Sequence, residues 1–513
     1  MTGAGSTASA RASLFSNLLK GTALYSLALF SYRIASVILL PVNTRFLNPS
    51  DYGVLELLEQ IVIITSVILG LNISSSLGYF FFEMESAEER NRVASTTILG
   101  ATLMGVVVAL LGCLLARPIG VLVFGQPGYT LYLVMMFISL PVGFGMEAEL
   151  SWLRVTDQPN VFALTTLIRV AATILATLAL VAGFRLGVLG VVTANLISAG
   201  VAALSLTIYC RRKIPLTMDL KLLIRMARFS IPVSLGSVAM FIIHFGDRFI
   251  LPHYRPLSEL GIYGIGYKIG MMITLLSGSF SSYWSAQIFP LFRREDANQV
   301  IARVFTYFLL VLSISSLGLI VFSRPAILIL TTPKYESAAA IAPVIVIAYY
   351  FRSLAEFFRC FFIVHGHPEY ESVCNWTGAV VCLAGYFTLI PRFGMWGAGF
   401  ATVLAFVVIV VMSVVWTYRL KPFQFELSRI LKITGVFVGV LVVYYLVPVS
   451  GPTLKGLHLS TAAQAALQIV WGCLLMLSFA VSLWVLRVAS PGEVEALRRF
   501  CGRLAAARGI LPV

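Results

Sequence analysis

The stretch GMWGAGFATVLAFVVIVVMSVVWTY, residues Gly394–Tyr418, runs for 25 residues without an Asp, Glu, Lys or Arg. An α-helix rises about 1.5 Å per residue, so this stretch is long enough to cross the ~30 Å hydrocarbon core of a bilayer. A surface helix of a soluble protein would carry a charged or strongly polar face, and this stretch has none. It therefore predicts a transmembrane helix.

The composition of the whole chain leads to the same class. Of 513 residues, 59% are hydrophobic and 12% are charged, and the mean hydropathy is +0.93. Soluble domains are about 45–50% apolar and about 25% charged. A soluble core could not bury this much apolar surface, so the chain is predicted to be a polytopic membrane protein.

Fourteen stretches have the length and hydrophobicity of membrane spans. Backbone polar groups at membrane depth must be hydrogen-bonded internally, which makes these spans helices and the fold all-α. The connections are too short to hold a soluble domain. The predicted spans are 18–44, 51–81, 93–116, 129–152, 160–183, 187–210, 224–251, 258–290, 301–323, 337–364, 371–391, 394–418, 430–449 and 463–486.

The net charge of +15 is explained by the orientation of the chain in the bilayer. Most of the 37 Lys and Arg residues fall in alternate connections, which the positive-inside rule places in the cytoplasm together with both termini. No nucleic-acid-binding motif accompanies these charges, so we expect no nucleic-acid partner. The longest inner connection and the helix after it carry Arg211, Arg212, Lys213, Lys221, Arg225 and Arg228.

An internal repeat divides the chain. Pro159 before helix 5 matches Pro368 before helix 11, and Gly187 at the start of helix 6 matches Gly394 at the start of helix 12. Two six-helix lobes of the same orientation follow, with a substrate site between them. The predicted organisation is a cytoplasmic N-terminal segment 1–17, an N-lobe 18–210, a basic cytoplasmic linker 211–223, a C-lobe 224–418, two extra helices within 419–487 and a basic amphipathic cytoplasmic tail 488–513.

Three stretches carry a family resemblance. They are LPVNTRFLNPSDYGVLELLEQ from Leu40 to Gln60, DRFILPHYRPLSELGIYGIGYKIG from Asp247 to Gly270, and LIPRFGMWGAGFATVLAF from Leu389 to Phe406. In combination they resemble the polysaccharide-transport (Wzx-type) flippases. This family belongs to the exporter superfamily that also holds the lipid II flippase and the multidrug extruders. The resemblance covers about residues 14–420.

The resemblance implies two lobes around a cavity that opens alternately to each side of the bacterial cytoplasmic (inner) membrane. It implies export of undecaprenyl-pyrophosphate-linked oligosaccharide, such as an O-antigen, capsule or exopolysaccharide repeat unit. The implied partners are this lipid-linked substrate, membrane lipids, a polysaccharide polymerase and other assembly proteins. We expect no cofactor, with transport coupled to a proton or sodium gradient or to the substrate gradient itself.

Two alternatives remain open: a small-molecule or multidrug extruder of the same superfamily, and a non-transporting scaffold of a polysaccharide-assembly complex. A drug extruder for cations would prefer an acidic cavity, and a scaffold needs no charge at membrane depth. No P-loop, GxSxG or HExxH motif and no Cys/His metal spacing is present, so we expect no catalytic residues and no metal site.

Cations within the predicted spans are the candidate substrate-binding residues. A charge at mid-bilayer costs at least ~2.5–3.5 kcal/mol, so it usually faces a cavity or a partner, and Arg and Lys suit a diphosphate. Each also has a structural reading: Arg33 could pair with Glu56 or Glu59, Lys268 and Arg169 could reach the interface, and Arg352, Glu356 and Arg359 could form a salt-bridged stripe. The candidates are Arg33, Lys268, Arg169, Arg352 and Arg359.

Carboxylates within the predicted spans are the ion-coupling candidates: Glu56, Glu59, Glu147 and Glu356. A carboxylate in a low-dielectric cavity is pulled toward its neutral form, while a neighbouring Arg favours its charged form. Aligning Pro159 with Pro368 places Glu147 on Glu356, which adds weight to both of these candidates. Asp247 and Arg248, at the outer end of helix 7, are interpreted as a local pair or cap.

Overall fold

The computed structural model describes residues 31, 34–70, 73–421, 424–447 and 461–488. Regular structure within these ranges is helical, with no strand. This confirms the all-α prediction. Arg33, the N-terminal segment 1–17 and almost all of the predicted tail lie outside the described residues.

Eighteen α-helices account for the described chain. In chain order they are α1 Leu40–Phe46, α2 Pro49–Leu69, α3 Ile73–Glu83, α4 Ala87–Phe124, α5 Thr130–Ile138, α6 Leu140–Val155, α7 Pro159–Thr177, α8 Gly187–Arg211, α9 Leu220–Phe245, α10 Asp247–Tyr254, α11 Leu257–Gly270, α12 Ile273–Leu291, α13 Ala297–Leu330, α14 Ala338–Val364, α15 Glu369–Phe393, α16 Met395–Leu420, α17 Leu427–Leu446 and α18 Thr461–Val485.

The described helices match thirteen of the fourteen predicted spans. Within the described ranges, twelve helical stretches are long and apolar enough to cross a membrane, and α11 and α12 form a further span bent by 41°. A shorter apolar helix, Ile34–Phe46, occupies the described end of the first predicted span. The chain is therefore a multi-pass membrane protein with about fourteen membrane-spanning helices. The orientation of its termini stays a prediction.

The helices divide into two compact units. The first holds the described residues up to Tyr267 together with Leu330–Ile341 and Glu371–Ile409, and the second holds the remainder. Within the first unit, an apolar cluster joins α3, α4, α6, α7 and α8 through residues such as Leu77, Leu153 and Leu206. The second unit has its own cluster on α13, α14, α17 and α18. The predicted lobe boundaries stay predictions.

Backbone conformation supports the internal repeat at two pairs of positions. Gly187 is the first residue of α8 and Gly394 comes directly before α16, the repeat-related helix. Their φ angles are +58° and +57°. Asp157 and Gly366, each two residues before a repeat-related proline, have φ of +51° and +77°. Left-handed backbone is uncommon outside glycine, so its recurrence at both turns indicates that the two halves use the same turn geometry.

Candidate functional site

A buried ionic cluster lies in the first compact unit, where α2, α10 and α11 meet. The guanidinium of Arg248 donates from Nε to Glu56 at 3.3 Å and from Nη1 to Asp247 at 2.9 Å. All three side chains are 3% exposed or less. Two carboxylates thus share one guanidinium, which offsets part of the cost of placing charge at membrane depth, and with both carboxylates ionised the cluster keeps a formal charge of −1.

Aromatic side chains of α11 complete the enclosure of this cluster. The Arg248 guanidinium lies 4.2 Å from the centroid of the Tyr267 ring and 5.6 Å from that of Tyr263. The Tyr263 hydroxyl donates to the Asp247 carboxylate, and the Tyr267 hydroxyl donates to the His244 carbonyl oxygen at 2.7 Å. Cation–π contact and hydroxyl donors therefore take the place of water around the charges.

Close helix contact explains why these side chains can meet. A Cβ on Gly53 of α2 would lie 2.0 Å from the Leu257 carbonyl oxygen, and one on Gly261 of α11 would lie 2.0 Å from that of Pro49. One on Gly264 would lie 2.6 Å from the Glu56 side chain. Glycine at these positions lets the two backbones approach closely, as small residues do in membrane helix pairs.

The end of α9 is held by side-chain donors as well. Helices α9 and α10 meet at Gly246, and carbonyl oxygens just before it accept from other helices. Arg248 Nη1 donates to the His244 carbonyl oxygen at 3.1 Å, and the Tyr386 hydroxyl of α15 donates to that of Ile243 at 2.9 Å. These hydrogen bonds satisfy backbone carbonyl groups at the junction and fix the positions of Asp247 and Arg248, which begin α10.

Sequence reasoning recognised Asp247 and Arg248 as a pair but not their connection to α2. The pair is buried, and its described partner on α2 is Glu56, 192 residues away in sequence. The predicted pairing of Arg33 with Glu56 or Glu59 involves a residue outside the described ranges. Glu59 is partly buried one turn further along α2.

The other predicted site residues fall into three situations. Arg352 and Glu356 of α14 pair with each other at 3.2 Å, with side chains 15% and 24% exposed. Glu147 of α6 is exposed and pairs with Arg154 at 2.8 Å. The remaining three, Arg169 on α7, Lys268 on α11 and Arg359 on α14, are partly buried and make contacts of their own.

The structure also identifies a candidate residue that the sequence analysis did not select. Glu149 of α6, two residues from Glu147, is 2% exposed. Its Oε1 accepts from the Thr207 hydroxyl of α8 at 2.7 Å, whereas Oε2 has no hydrogen-bond partner among the described residues. Within the described residues, no group of three or more His, Cys, Asp and Glu side chains could hold a metal ion.

The fold defines the class of the protein, a multi-pass membrane protein with about fourteen membrane-spanning helices. Over 89% of its length it matches a solved structure of the lipid II flippase MurJ in an inward closed conformation, with TM-score 0.71, 17% identity and 98% of that chain covered. An inward-facing multidrug resistance MATE transporter of the MOP superfamily matches over 76% of this chain and 95% of its own, with TM-score 0.61 and 14% identity.

A third solved structure, a mutant of the MATE transporter VcmN from Vibrio cholerae, covers 80% of this chain and 97% of its own, with TM-score 0.55 and 14% identity. At such identities these likenesses establish the fold. The family described as "Polysaccharide biosynthesis protein" matches residues 18–295, more than half of the sequence, and the chain belongs to this family. No curated protein matches it in sequence.

Proposed function

We propose that the protein is a flippase that moves undecaprenyl-pyrophosphate-linked oligosaccharide across the bacterial cytoplasmic membrane by alternating access. The observation that carries this proposal is its membership of the polysaccharide biosynthesis family. The fold shared with a lipid II flippase supports it, because that protein's name gives it a lipid-linked substrate. The proposed partners are this substrate, membrane lipids, and a polymerase and other assembly proteins.

Within this function, Arg33 and Lys268 are proposed to bind the diphosphate, with Arg169, Arg352 and Arg359 as further cations along its path. An Arg fork can bind phosphate oxygens in a bidentate way, and a Lys adds a mobile point charge. Arg352 already has a carboxylate partner, so it would have to exchange Glu356 for phosphate. A gradient of protons or sodium ions is proposed to drive the cycle.

The experiment is complementation of a flippase-null strain with the wild-type protein and with Arg33→Ala and Arg33→Lys, with protein levels measured by blotting. Wild type should restore export of the polysaccharide. Arg33→Ala should insert normally, because losing a charge lowers the membrane cost, and should lose export. Arg33→Lys should recover part of it. Normal export by a well-expressed Arg33→Ala would place the anion site elsewhere.

A small-molecule extruder is the second candidate, and its supporting observation is the fold shared with MATE transporters. The two functions separate in the same strain. A flippase restores surface polysaccharide and leaves resistance to cationic drugs unchanged, whereas an extruder does the opposite. An outcome with neither effect in a well-expressed protein would favour the scaffold.

A further inference from the structure

Glu149 differs from other membrane-embedded carboxylates of this chain in what surrounds it. Glu56, Glu147 and Glu356 each have an Arg within 3.3 Å. Glu149 has no such partner in the described ranges, and its one hydrogen bond comes from a neutral hydroxyl on Thr207. A guanidinium keeps a carboxylate charged, whereas a hydroxyl can serve either protonation state.

The neighbourhood of Glu149 is apolar. Met146, Leu150, Trp152 and Leu153 flank it on α6, and all belong to the apolar cluster of the first unit. An unpaired carboxylate in such surroundings pays a large desolvation cost, which binding one proton removes. The buried Oε2, which has no partner within the described chain, is the atom available to carry that proton.

Titratable groups lie on every helix that packs against α6. Cys210 and Arg211, on α8, are near enough to interact with it electrostatically. None of the titratable groups within the described helices forms a hydrogen bond or ion pair with it. The titratable groups on α6 and on the helices packed against it are Tyr79 and Glu83 on α3; Glu88, Glu89, Arg90, Arg92, Cys113 and Arg117 on α4; Tyr132 on α5; Glu147 and Arg154 on α6; Arg169 on α7; and Tyr209, Cys210 and Arg211 on α8.

Glu149 also lies close to an aqueous boundary. It is six residues from the end of α6 at Val155, and Thr207 is four residues from the end of α8 at Arg211. At about 1.5 Å per residue these positions are ~9 Å and ~6 Å from the helix ends. The charge distribution predicts that both ends face the cytoplasm, so a small movement of α6 against α8 would admit water to Oε2.

We propose that Glu149 is a proton-binding site that couples the transport cycle to the proton gradient, with Thr207 positioning its carboxyl group. While Oε2 is buried, the carboxyl carries the proton on that oxygen. When that oxygen meets water, the proton passes to water and leaves a carboxylate that Thr207 still solvates through Oε1. The coupling half of this proposal rests on the proposed transport function, whereas proton binding does not.

The test compares Glu149→Gln with Thr207→Val and with Glu356→Gln as a matched control. Gln can still accept the Thr207 hydroxyl bond but cannot bind a proton, so it separates a structural hydrogen bond from proton exchange. Infrared difference spectra of the purified full chain, taken across a pH titration, should show a buried carboxyl band. That band should vanish in Glu149→Gln, persist unchanged in Glu356→Gln, and persist at a shifted frequency in Thr207→Val, because the carboxyl then lacks the hydroxyl that donates to Oε1. An unshifted band in Thr207→Val overturns the positioning role of Thr207. A band that survives Glu149→Gln, or none in wild type, overturns proton binding.

The second arm measures transport in vesicles, with a fluorescent undecaprenyl-pyrophosphate-linked oligosaccharide as the probe. One pH unit across the membrane can shift the accumulation ratio by up to about tenfold per coupled proton. Wild type and Thr207→Val should respond to the imposed gradient, and well-folded Glu149→Gln should lose the response. A normal response in Glu149→Gln overturns coupling at this residue. Wild type that moves no probe under any gradient overturns the proposed function, while the infrared arm still decides whether Glu149 binds a proton.

Discussion

Two buried carboxylates in the same compact unit are accommodated in opposite ways. Glu56 is 3% exposed and bound to Arg248, which also binds Asp247. Glu149 is 2% exposed and bound to the Thr207 hydroxyl. The first arrangement places one cation between two carboxylates and joins three helices. The second leaves the carboxyl to be neutralised by a proton.

The difference separates a structural role from a titrating one. Losing the guanidinium would leave two carboxylates buried together without a cation, so the folded structure depends on Arg248. The Glu149 carboxyl can gain or lose one proton while keeping its Thr207 contact. We infer that the cluster fixes α2 against α10 and α11, and that Glu149 is free to follow the transport cycle.

The largest expected effect comes from removing the shared guanidinium. Arg248→Met should destabilise the protein by about 3–5 kcal/mol, because Glu56 and Asp247 would remain buried without their cation. The measurement is thermal unfolding in detergent, monitored by the monodisperse fraction. Adding Glu56→Gln and Asp247→Asn to Arg248→Met should restore part of the loss, since the uncompensated charges are then removed.

The matched control is Arg294→Met, which breaks a pair with Asp296 whose side chains are 61% and 46% exposed. Such pairs contribute less than about 1 kcal/mol, so unfolding should hardly change. If Arg248→Met and Arg294→Met unfold at the same temperature, the cluster does not hold these helices together, and the comparison with Glu149 loses its basis.

The sequence predicted the fold more completely than the site. Hydropathy predicted the spans because the apolar character of each run is a local property of the sequence. The repeat predicted from the sequence is matched by left-handed backbone at Gly187 and Gly394. Side-chain pairing is different. Asp247 and Arg248 are adjacent in sequence, so their contact could be predicted, but their contact with Glu56 depends on how α2 and α11 pack.

Glu147 and Glu149 show the same limit within one helix. Two positions apart, they are separated by about 200° around the helix axis, so they face nearly opposite directions. The sequence analysis named Glu147 among its four ion-coupling candidates, yet Glu147 is exposed and paired with Arg154, whereas Glu149 faces the apolar cluster. The spacing alone shows that the two side chains face different surroundings; which of them is buried depends on tertiary packing.

An intermediate effect is expected at Arg352, whose pair with Glu356 is half-buried. Arg352→Met should cost about 1–2 kcal/mol, between the values for exposed and buried pairs. Export should be measured beside unfolding. A loss of export much larger than the loss of folded protein would place Arg352 on the substrate path; proportional losses would make it part of a salt-bridged stripe.

The smallest effect is expected at Asp219, in the predicted linker before α9. The Leu222 backbone amide donates to its carboxylate at 3.1 Å and Arg92 lies 3.2 Å away, which together hold the pKa of Asp219 below its ordinary value of 3.8. A lowered pKa in the folded protein means that the charged form adds stability above pH 3.8 and that this contribution is lost as the pH falls through the lowered value. Asn caps a helix about as well as Asp, so Asp219→Asn isolates the charge.

Asp219→Asn should therefore unfold at a slightly lower temperature than wild type near neutral pH. This gap in unfolding temperature should close on acidification below pH 3.8. Salt should narrow the gap as well, because the Arg92 side chain is exposed and its attraction is screened. Unfolding temperatures of both proteins across pH and salt provide the measurement. A gap that widens in acid would mean that Asp219 is stabilised in its neutral form. A neighbouring cation would then not determine whether a carboxyl group of this chain is charged or neutral, although the contrast between Glu56 and Glu149 requires that it does.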